Sequence, residues 1–221
     1  MQARDLFLVG HALAHAGKIL DVDEYDASFY EDRVVNGLDD DHMRQRPHEL
    51  NSIGFLLWHI ARTEDVAANL IIASHPQVFD EGKWAPLLRV ARRDIGYGST
   101  PDQVEEISAT LDLASLRAYR LAVGRRTRAL VQTLAPPDWE TVVAQSRIDR
   151  AIQEGALLPH WPWPRKSWGT QRVVRLLSWP CLGHSTMHLG QAMWVRKLVL
   201  ESTPTTATTI PRGPTPSKGT V

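Results

Sequence analysis

The sequence has a single cysteine, no net charge and no long hydrophobic run. Cys181 has no partner for an internal disulfide, which agrees with a reducing cytoplasm. Lys+Arg and Asp+Glu each number 25, so the charge indicates no general attraction to nucleic acid or to an anionic membrane. No stretch approaches the roughly 18 apolar residues of a membrane span, and the apolar run 6–9 is too short for a signal-peptide core. We therefore expect a soluble, cytoplasmic protein without nucleic-acid or membrane partners.

The apolar residues follow helical spacing, and no strand-like alternation persists. The 221 residues are enough for one domain with a substantial core. We predict an all-α fold, a four-helix bundle with long loops, in a single domain over residues 1–200 whose core covers about 26–200. The Thr/Pro-rich tail 201–221 is predicted to be disordered. The predicted helices are 3–20, 27–36, 53–74, a short one from 101, 113–134, 148–155 and 170–200, with a kink at Pro180 and a long surface loop over 77–99.

Three of these helices begin with recognisable capping residues. Asn51 or Ser52 can cap the helix that starts at residue 53. The run Thr100-Pro101-Asp-Gln103 combines a capping hydroxyl, a first-turn proline and the glutamine of a capping box. Asp112 can cap the long helix that follows.

The nine histidines are the residues that bear most directly on function. Two pairs, His184/His188 and His11/His15, have the i,i+4 spacing that puts both side chains on one helix face, where they can share a metal ion. Spacing alone does not separate ligands from helix-surface or hydrogen-bonded core histidines, which are the default. The later pair is favoured because apolar residues flank it, so both ring nitrogens of each imidazole need partners. Gln191 can orient His188 or bind a metal-bound water.

A third ligand should come from a facing helix, and His59 is the best candidate. It lies inside the apolar stretch 56–60, where an imidazole without a partner is costly. The alternative is a buried histidine bonded to a backbone carbonyl. A carboxylate as third ligand would indicate iron–oxygen chemistry, but Glu64 and Asp65 fall well round the helix from His59, whereas Thr63 shares its face. Helix salt bridges explain these two acids more simply than a supporting role beside the metal.

Other residues allow two interpretations each. Five of the eight tryptophans lie within 139–179, and tryptophan suits both pocket walls and loop anchors. Arg62 can bind an anionic substrate group or be a solvated helix residue. Cys181, close before the final histidine pair, can be a nucleophile or, more simply, a small buried apolar residue. The tryptophans that could form a cleft are Trp58, Trp161, Trp163 and Trp168.

Two segments together resemble the DinB/YfiT-like superfamily of metalloenzymes. They are Asn51-Ser-Ile-Gly-Phe-Leu-Leu-Trp-His-Ile-Ala-Arg-Thr-Glu-Asp65 and His184-Ser-Thr-Met-His-Leu-Gly-Gln191. The resemblance covers most of residues 26–200, and it implies a four-helix bundle with one divalent metal ion bound by His59, His184 and His188. His11 and His15 match no ligand position in that pattern, so we expect them to be structural.

The resemblance also indicates the chemistry. Members of this superfamily include S-transferases that use bacterial low-molecular-weight thiols, a thiol-dependent isomerase, and the metal-binding domain of sulfoxide synthases, whose second catalytic domain does not fit in this chain. Three imidazoles leave coordination positions open for water or a thiol, and zinc, nickel and iron all suit such ligands. We expect a metal-dependent thiol transferase or a hydrolase that acts on a small molecule, and the resemblance allows for a homodimer. The alternatives are a non-catalytic metal-binding or stress-related protein and a helical interaction module.

Overall fold

Helices form the regular secondary structure of residues 3–202, the part of the chain that the computed structural model describes. No β-strand occurs within this range, where Val142 and Arg172 form an isolated antiparallel bridge. The all-α class predicted from the sequence is confirmed. The α-helices are α1 (Ala3–Leu13), α2 (Tyr30–Val35), α3 (Asp40–Arg44), α4 (Ile53–Asp65), α5 (Val78–Glu81), α6 (Trp84–Leu88), α7 (Pro101–Thr110), α8 (Leu113–Thr133), α9 (Gln145–Gln153), α10 (Val173–Leu176) and α11 (His184–Ser202).

Shorter helical turns of other types connect or extend these elements. Turns of 3₁₀-helix occupy Gly17–Leu20, Pro47–Glu49 and Pro136–Glu140. Segments of π-helix, which are uncommon and often mark functional sites, occupy Val66–Ile72, Pro164–Trp168 and Leu177–Gly183. The first of these continues α4, so one helical element runs from Ile53 to Ile72, close to the predicted 53–74.

The predicted capping residues begin their helices as expected. Ser52 Oγ accepts a hydrogen bond from the backbone N–H of Phe55 at 3.0 Å. The capping box at α7 is complete, because Thr100 Oγ1 accepts from the Gln103 N–H at 3.3 Å and Gln103 Oε1 accepts from the Thr100 N–H at 3.0 Å. Asp112 Oδ1 accepts from the Ser115 N–H at 2.8 Å at the start of α8.

In two places, tertiary contacts give a secondary structure that differs from the one predicted from the local sequence. The predicted helix 3–20 ends at Leu13, and the chain then turns because the N–H of Gly17 donates to Asp32 Oδ2 at 2.7 Å. The predicted loop 77–99 contains α5 and α6. The first N–H groups of α5, on Val78 and Phe79, both donate to the Asp65 carboxylate at 2.9 Å, so this short helix is capped from a distant helix.

Helix α4 is the centre of the packing. All of its residues are buried, and it contacts both α8 and α11. Helix α11 also packs against α2, and α1 packs against α8 and the segment Leu177–Gly183. This helix-on-helix core agrees with the predicted architecture, while the detailed four-helix-bundle geometry stays a prediction. Within residues 3–202, no helix combines the length and the apolar character that crossing a membrane requires.

The predicted last helix, 170–200, is built from three pieces: α10, the π-helical segment Leu177–Gly183, and α11. Pro180 lies inside the π-helical segment, where the wider turn accommodates a residue that lacks an N–H. Helix α11 ends at Ser202, two residues beyond the predicted helix end at 200, so Glu201 and Ser202 of the predicted tail are helical. The rest of it, 203–221, lies outside the described residues.

Candidate metal centre

The three histidines singled out from the sequence meet at one point. His59 comes from the middle of α4, whereas His184 and His188 come from the first two turns of α11. The Nε2 atom of His184 lies 3.1 Å from Nε2 of His59 and 3.1 Å from Nε2 of His188. The three imidazoles are therefore placed as candidate ligands of one ion.

Two of the rings are oriented by acceptors on their other nitrogen. His59 Nδ1 donates to the carbonyl oxygen of Ile95, and His188 Nδ1 donates to Gln191 Oε1 at 2.6 Å. The two interpretations of His59 are therefore compatible, because its Nδ1 donates to a backbone carbonyl while its Nε2 faces His184. Gln191 orients His188, as the sequence suggested. Such partners fix the tautomer and the direction of a histidine ligand.

The loop that carries the Ile95 carbonyl is held by its neighbours. The N–H of Gly96 donates to Asp94 Oδ1 at 2.7 Å, and Arg92 Nε donates to Asp94 Oδ2 at 2.7 Å. Gly96 has a φ of +79°, and a Cβ there would lie 2.4 Å from Cζ3 of the buried Trp58. Only glycine fits this position without displacing the carbonyl that orients His59.

The number of protons that the three Nε2 atoms of the cluster can carry favours a bound cation. Because the Nδ1 atoms of His59 and His188 are donors, their Nε2 atoms present lone pairs to His184 when the rings are neutral. His184 Nε2 carries at most one proton and can donate it to only one of these neighbours. At least one lone pair is then left facing another nitrogen, whereas a metal ion would accept a lone pair from all three rings.

Burial keeps these rings neutral. Burial, with a smaller contribution from His188, lowers the pKa of His59 to about 4, and burial with smaller contributions from His59 and His188 lowers that of His184 to about 2. The pKa of His188 is also lowered, again by burial. Neutral imidazoles are the form that binds metal ions, so no proton has to be removed at neutral pH.

The cluster lies in the wall of a cavity of about 570 Å³. This volume falls within the range of about 300–1,000 Å³ that is typical of small-molecule sites. The wall is mainly apolar and aromatic, and Arg175 contributes a cationic group. The residues that supply the apolar and aromatic wall are Phe55, Ile95, Tyr97, Val104, Trp163, Trp168, Leu176, Trp179, Pro180 and Met187.

Of the four tryptophans predicted to form a cleft, Trp163 and Trp168 line the cavity. Trp58 is fully buried beneath Gly96, and Trp161 packs against Tyr97 and Trp163 without reaching the lining. Arg175 and Tyr97 also line the cavity but were not predicted from the sequence. The two glycines that flank Tyr97 were a signal for a special loop, whereas Arg175 looks like any other helix arginine in the sequence.

Arg62 serves neither of its two suggested roles. It is fully buried, and its guanidinium donates to Tyr119 Oη at 2.7 Å, to Gln77 Oε1 at 2.6 Å and to the Asp65 carboxylate at 3.3 Å. Asp65 forms the predicted salt bridge, but it also accepts from Tyr119 and from the start of α5. These groups hold the core beside the site and do not line the cavity.

Two further residues lie close to the candidate site without joining it. Cys181 is fully buried, and burial raises the pKa of its thiol well above its usual range, which supports its interpretation as a small apolar residue. Glu64 points away from the candidate metal centre, toward His11 and His15.

A family model described as the DinB superfamily matches residues 32–192, which include all three histidines of the cluster. The chain belongs to the DinB superfamily. Among solved structures, this DinB-superfamily chain is similar to the crystal structure of a conserved protein from Enterococcus faecalis, with a TM-score of 0.62 and 18% sequence identity over 91% of this chain and 99% of that one. At that identity the likeness shows the fold alone. No curated protein matches the sequence.

Proposed function

We propose that this DinB-superfamily protein binds one divalent metal ion through His59, His184 and His188 and is an enzyme that acts on a small molecule. The reaction is the transfer of a low-molecular-weight thiol or, as the second form, hydrolysis. The observation that carries the proposal is the convergence of three Nε2 atoms, 3.1 Å apart in two pairs, in the wall of a cavity of about 570 Å³.

Three neutral protein ligands are typical of catalytic sites, whereas structural sites use four. When bound, a divalent ion supplies Lewis acidity that lowers the pKa of a coordinated water or thiol and so yields a nucleophile near neutral pH. Imidazole nitrogen suits zinc, nickel and iron, so the donor set leaves these three open.

The residues around the cluster support the chemistry in distinct ways. Ile95 and Gln191 accept the Nδ1 protons, so that His59 and His188 keep their lone pairs directed at one point. The aromatic wall offers stacking surfaces to an apolar or planar reactant. A cavity of this size has room for two reactants beside the cluster, which favours thiol transfer over hydrolysis.

Arg175 gives the cavity a means of recognising charge. Its side chain lines the cavity, and it forms no ion pair with any of the residues 3–202. A guanidinium binds carboxylate or phosphate oxygens through paired hydrogen bonds. We therefore assign to this protein a substrate with an apolar or aromatic body and one anionic group, and the thiol itself can carry that group.

Metal content is the first test. Tag-free wild-type protein, His59→Ala, His188→Ala and the control His75→Ala, which changes an exposed histidine outside the cluster, are loaded with zinc, nickel or iron and analysed by elemental mass spectrometry. We expect each cluster variant to hold one equivalent less than wild type, whereas His75→Ala should hold as much metal as wild type. Equal metal content in wild type and both cluster variants would refute the site.

Activity is tested next on the loaded protein. A panel of low-molecular-weight thiols is paired with a chromogenic electrophile, and a chromogenic ester without thiol serves as the hydrolase arm. Conjugate formation that depends on both the metal and His188 supports the transferase, and ester hydrolysis with the same dependence supports the hydrolase. Metal binding without either activity would leave the non-catalytic metal-binding alternative.

A further inference from the structure

A second histidine cluster lies on the opposite side of α4 from the candidate metal centre. His11 Nε2 lies 2.8 Å from Glu64 Oε1, and His15 Nε2 lies 3.1 Å from Glu64 Oε2. Helix α1 contributes His11, and His15 follows two residues after its end, so both histidines lie outside the region 32–192 that the family model matches. From the sequence, these two histidines were expected to be structural, and no partner was predicted for them.

The Glu64 carboxylate of this cluster pairs with no lysine or arginine side chain among residues 3–202. Glu64 and His11 are fully buried and His15 is 2% exposed, so the carboxylate is shielded from bulk solvent. Two neutral imidazoles can each donate one hydrogen bond but carry no charge, and a buried carboxylate needs a charged partner. Arg120 acts electrostatically on His15, but it pairs with Glu31 and donates to the carbonyl oxygen of Ala14 at 2.8 Å. The cluster therefore needs one positive charge, which a bound cation or a proton on one of the imidazoles can supply.

The donor set and its spacing suit a cation. Ligand atoms of a tetrahedral ion with bonds of about 2.0–2.2 Å lie about 3.3–3.6 Å apart. The observed separations of 2.8 and 3.1 Å, each to a different oxygen of Glu64, would have to widen by about 0.2–0.8 Å, and one ligand atom from each of the three residues lies within 4.8 Å of the others. Two imidazoles and one carboxylate are a common ligand set for zinc, iron and manganese. The geometry points to a second divalent metal site, formed by His11, His15 and Glu64.

A cavity borders one ligand of the proposed site, and the positions of the ligands indicate the role of a cation there. A separate cavity of about 310 Å³ reaches His15 from the side of the turn Gly17–Leu20. Gly124 on α8 leaves room for the ring, since a Cβ there would lie 2.5 Å from His15 Cε1. None of the three ligands lines the large cavity beside His59. A cation bound here would stabilise the packing of α1 against α4 and would take no part in the proposed reaction.

The test uses the full chain with the first site disabled by His59→Ala/His188→Ala. Cobalt(II) is titrated into wild type and this variant, its d–d absorption is followed, and bound metal is measured after dialysis. We expect wild type to bind two equivalents of cobalt and the double variant to bind one. The double variant with Glu64→Gln added should bind none. The remaining equivalent should raise the melting temperature of the double variant by several degrees.

Two results would overturn the proposal. One is a wild-type protein that binds a single equivalent, lost in full on His59→Ala/His188→Ala, because Glu64 would then be balanced by a proton on a histidine. The other is an equivalent that persists after Glu64→Gln. If Glu64→Gln does not fold, His15→Gln in the same background should likewise bind no cobalt. The number of cobalt ions that wild type binds also tests the proposal, without any variant of the second site. Since the first site is measured separately, failure here leaves the proposed function untouched.

Discussion

The Nε2 atom of His184 lies 3.1 Å from Nε2 of His59, although the two residues are 125 positions apart in the sequence. His184 begins α11 directly after a π-helical segment, and His59 lies in the middle of the buried helix α4. The packing of α11 on α4 therefore creates the candidate metal centre, whereas helix periodicity alone adds His188. Metal affinity should respond first to anything that changes the direction of these rings.

The first prediction concerns Gln191. Replacing it with leucine removes the acceptor that lies 2.6 Å from His188 Nδ1, so the ring can rotate or change tautomer. We expect Gln191→Leu to weaken zinc binding about 10- to 100-fold, the usual effect of losing a partner of a histidine ligand. A competition titration with a chromogenic chelator measures the Kd. Gln191→Glu keeps an acceptor and should bind at least as tightly as wild type, while equal affinity in Gln191→Leu would show that Gln191 does not orient the ligand.

Local signals in the sequence were sufficient for part of this fold. Ser52, Thr100 and Asp112 cap their helices with bonds to residues only three positions away, so a reading of neighbouring residues found them. The i,i+4 pair and the apolar surroundings of His59 likewise pointed to the candidate centre. Each of these features depends on periodicity or on short-range hydrogen bonds.

The features that the sequence reading missed depend on distant contacts. Helix α5 starts where Asp65, thirteen positions earlier, accepts two of its N–H groups. Glu64 meets His11 across 53 positions, and no pattern within either helix encodes that meeting. Arg175 could not be singled out from the sequence, because only the fold places it in the cavity wall without an ion-pair partner among residues 3–202.

The second prediction concerns the stability of the core beside the site. Asp65 is fully buried, accepts from Tyr119 Oη at 2.7 Å and faces the buried Arg62 guanidinium. Asp65→Ala leaves that guanidinium without its charge partner and removes the cap of α5. We expect a loss of about 3–5 kcal/mol in the free energy of unfolding, measured by urea denaturation.

The matched control is Asp149→Ala, which removes an exposed carboxylate 3.0 Å from Arg165. An exposed ion pair contributes about 0–1 kcal/mol, so this variant should remain close to wild type. A cost at Asp65 no larger than that at Asp149 would mean that the buried network does not support the fold in the way its geometry indicates.

The third prediction concerns the anionic group of the substrate and depends on the proposed function. Arg175→Ala should raise the KM for a carboxylated electrophile about 10- to 100-fold, which corresponds to the loss of hydrogen bonds to a charged group. The same variant should leave the KM for an uncharged electrophile of the same shape unchanged. Arg172→Ala is the control, since Arg172 is exposed, pairs with Glu140 and does not line the cavity. A similar rise in KM for both electrophiles in Arg175→Ala would indicate a general disturbance of the cavity.

The fourth prediction is that the metal-free protein loses stability as the pH falls. Burial lowers the folded-state pKa of His59 to about 4, of His15 to about 3 and of His184 to about 2, from 6.5. Between about pH 6.5 and about pH 4 the unfolded chain therefore binds more protons than the folded chain, and the free energy of unfolding decreases with decreasing pH. Each such histidine contributes a slope of about 1.4 kcal/mol per pH unit, so three give at most about 4. Burial raises the pKa of Glu64, but the charges and hydrogen bonds of His11 and His15 outweigh burial and hold that pKa well below 4.5, so protonation of Glu64 adds to the loss of stability below that pH.

Urea denaturation in the presence of a chelator, at several pH values between about 7 and about 5, measures this slope. His184→Gln removes one of the titrating groups and should reduce the slope by about 1.4 kcal/mol per pH unit. His75→Gln changes a histidine that is exposed in the folded state, so its slope should match that of wild type. Equal slopes in wild type and His184→Gln would contradict the prediction, because His184 would then be protonated in the folded protein and could not present a lone pair to a metal ion without first losing that proton.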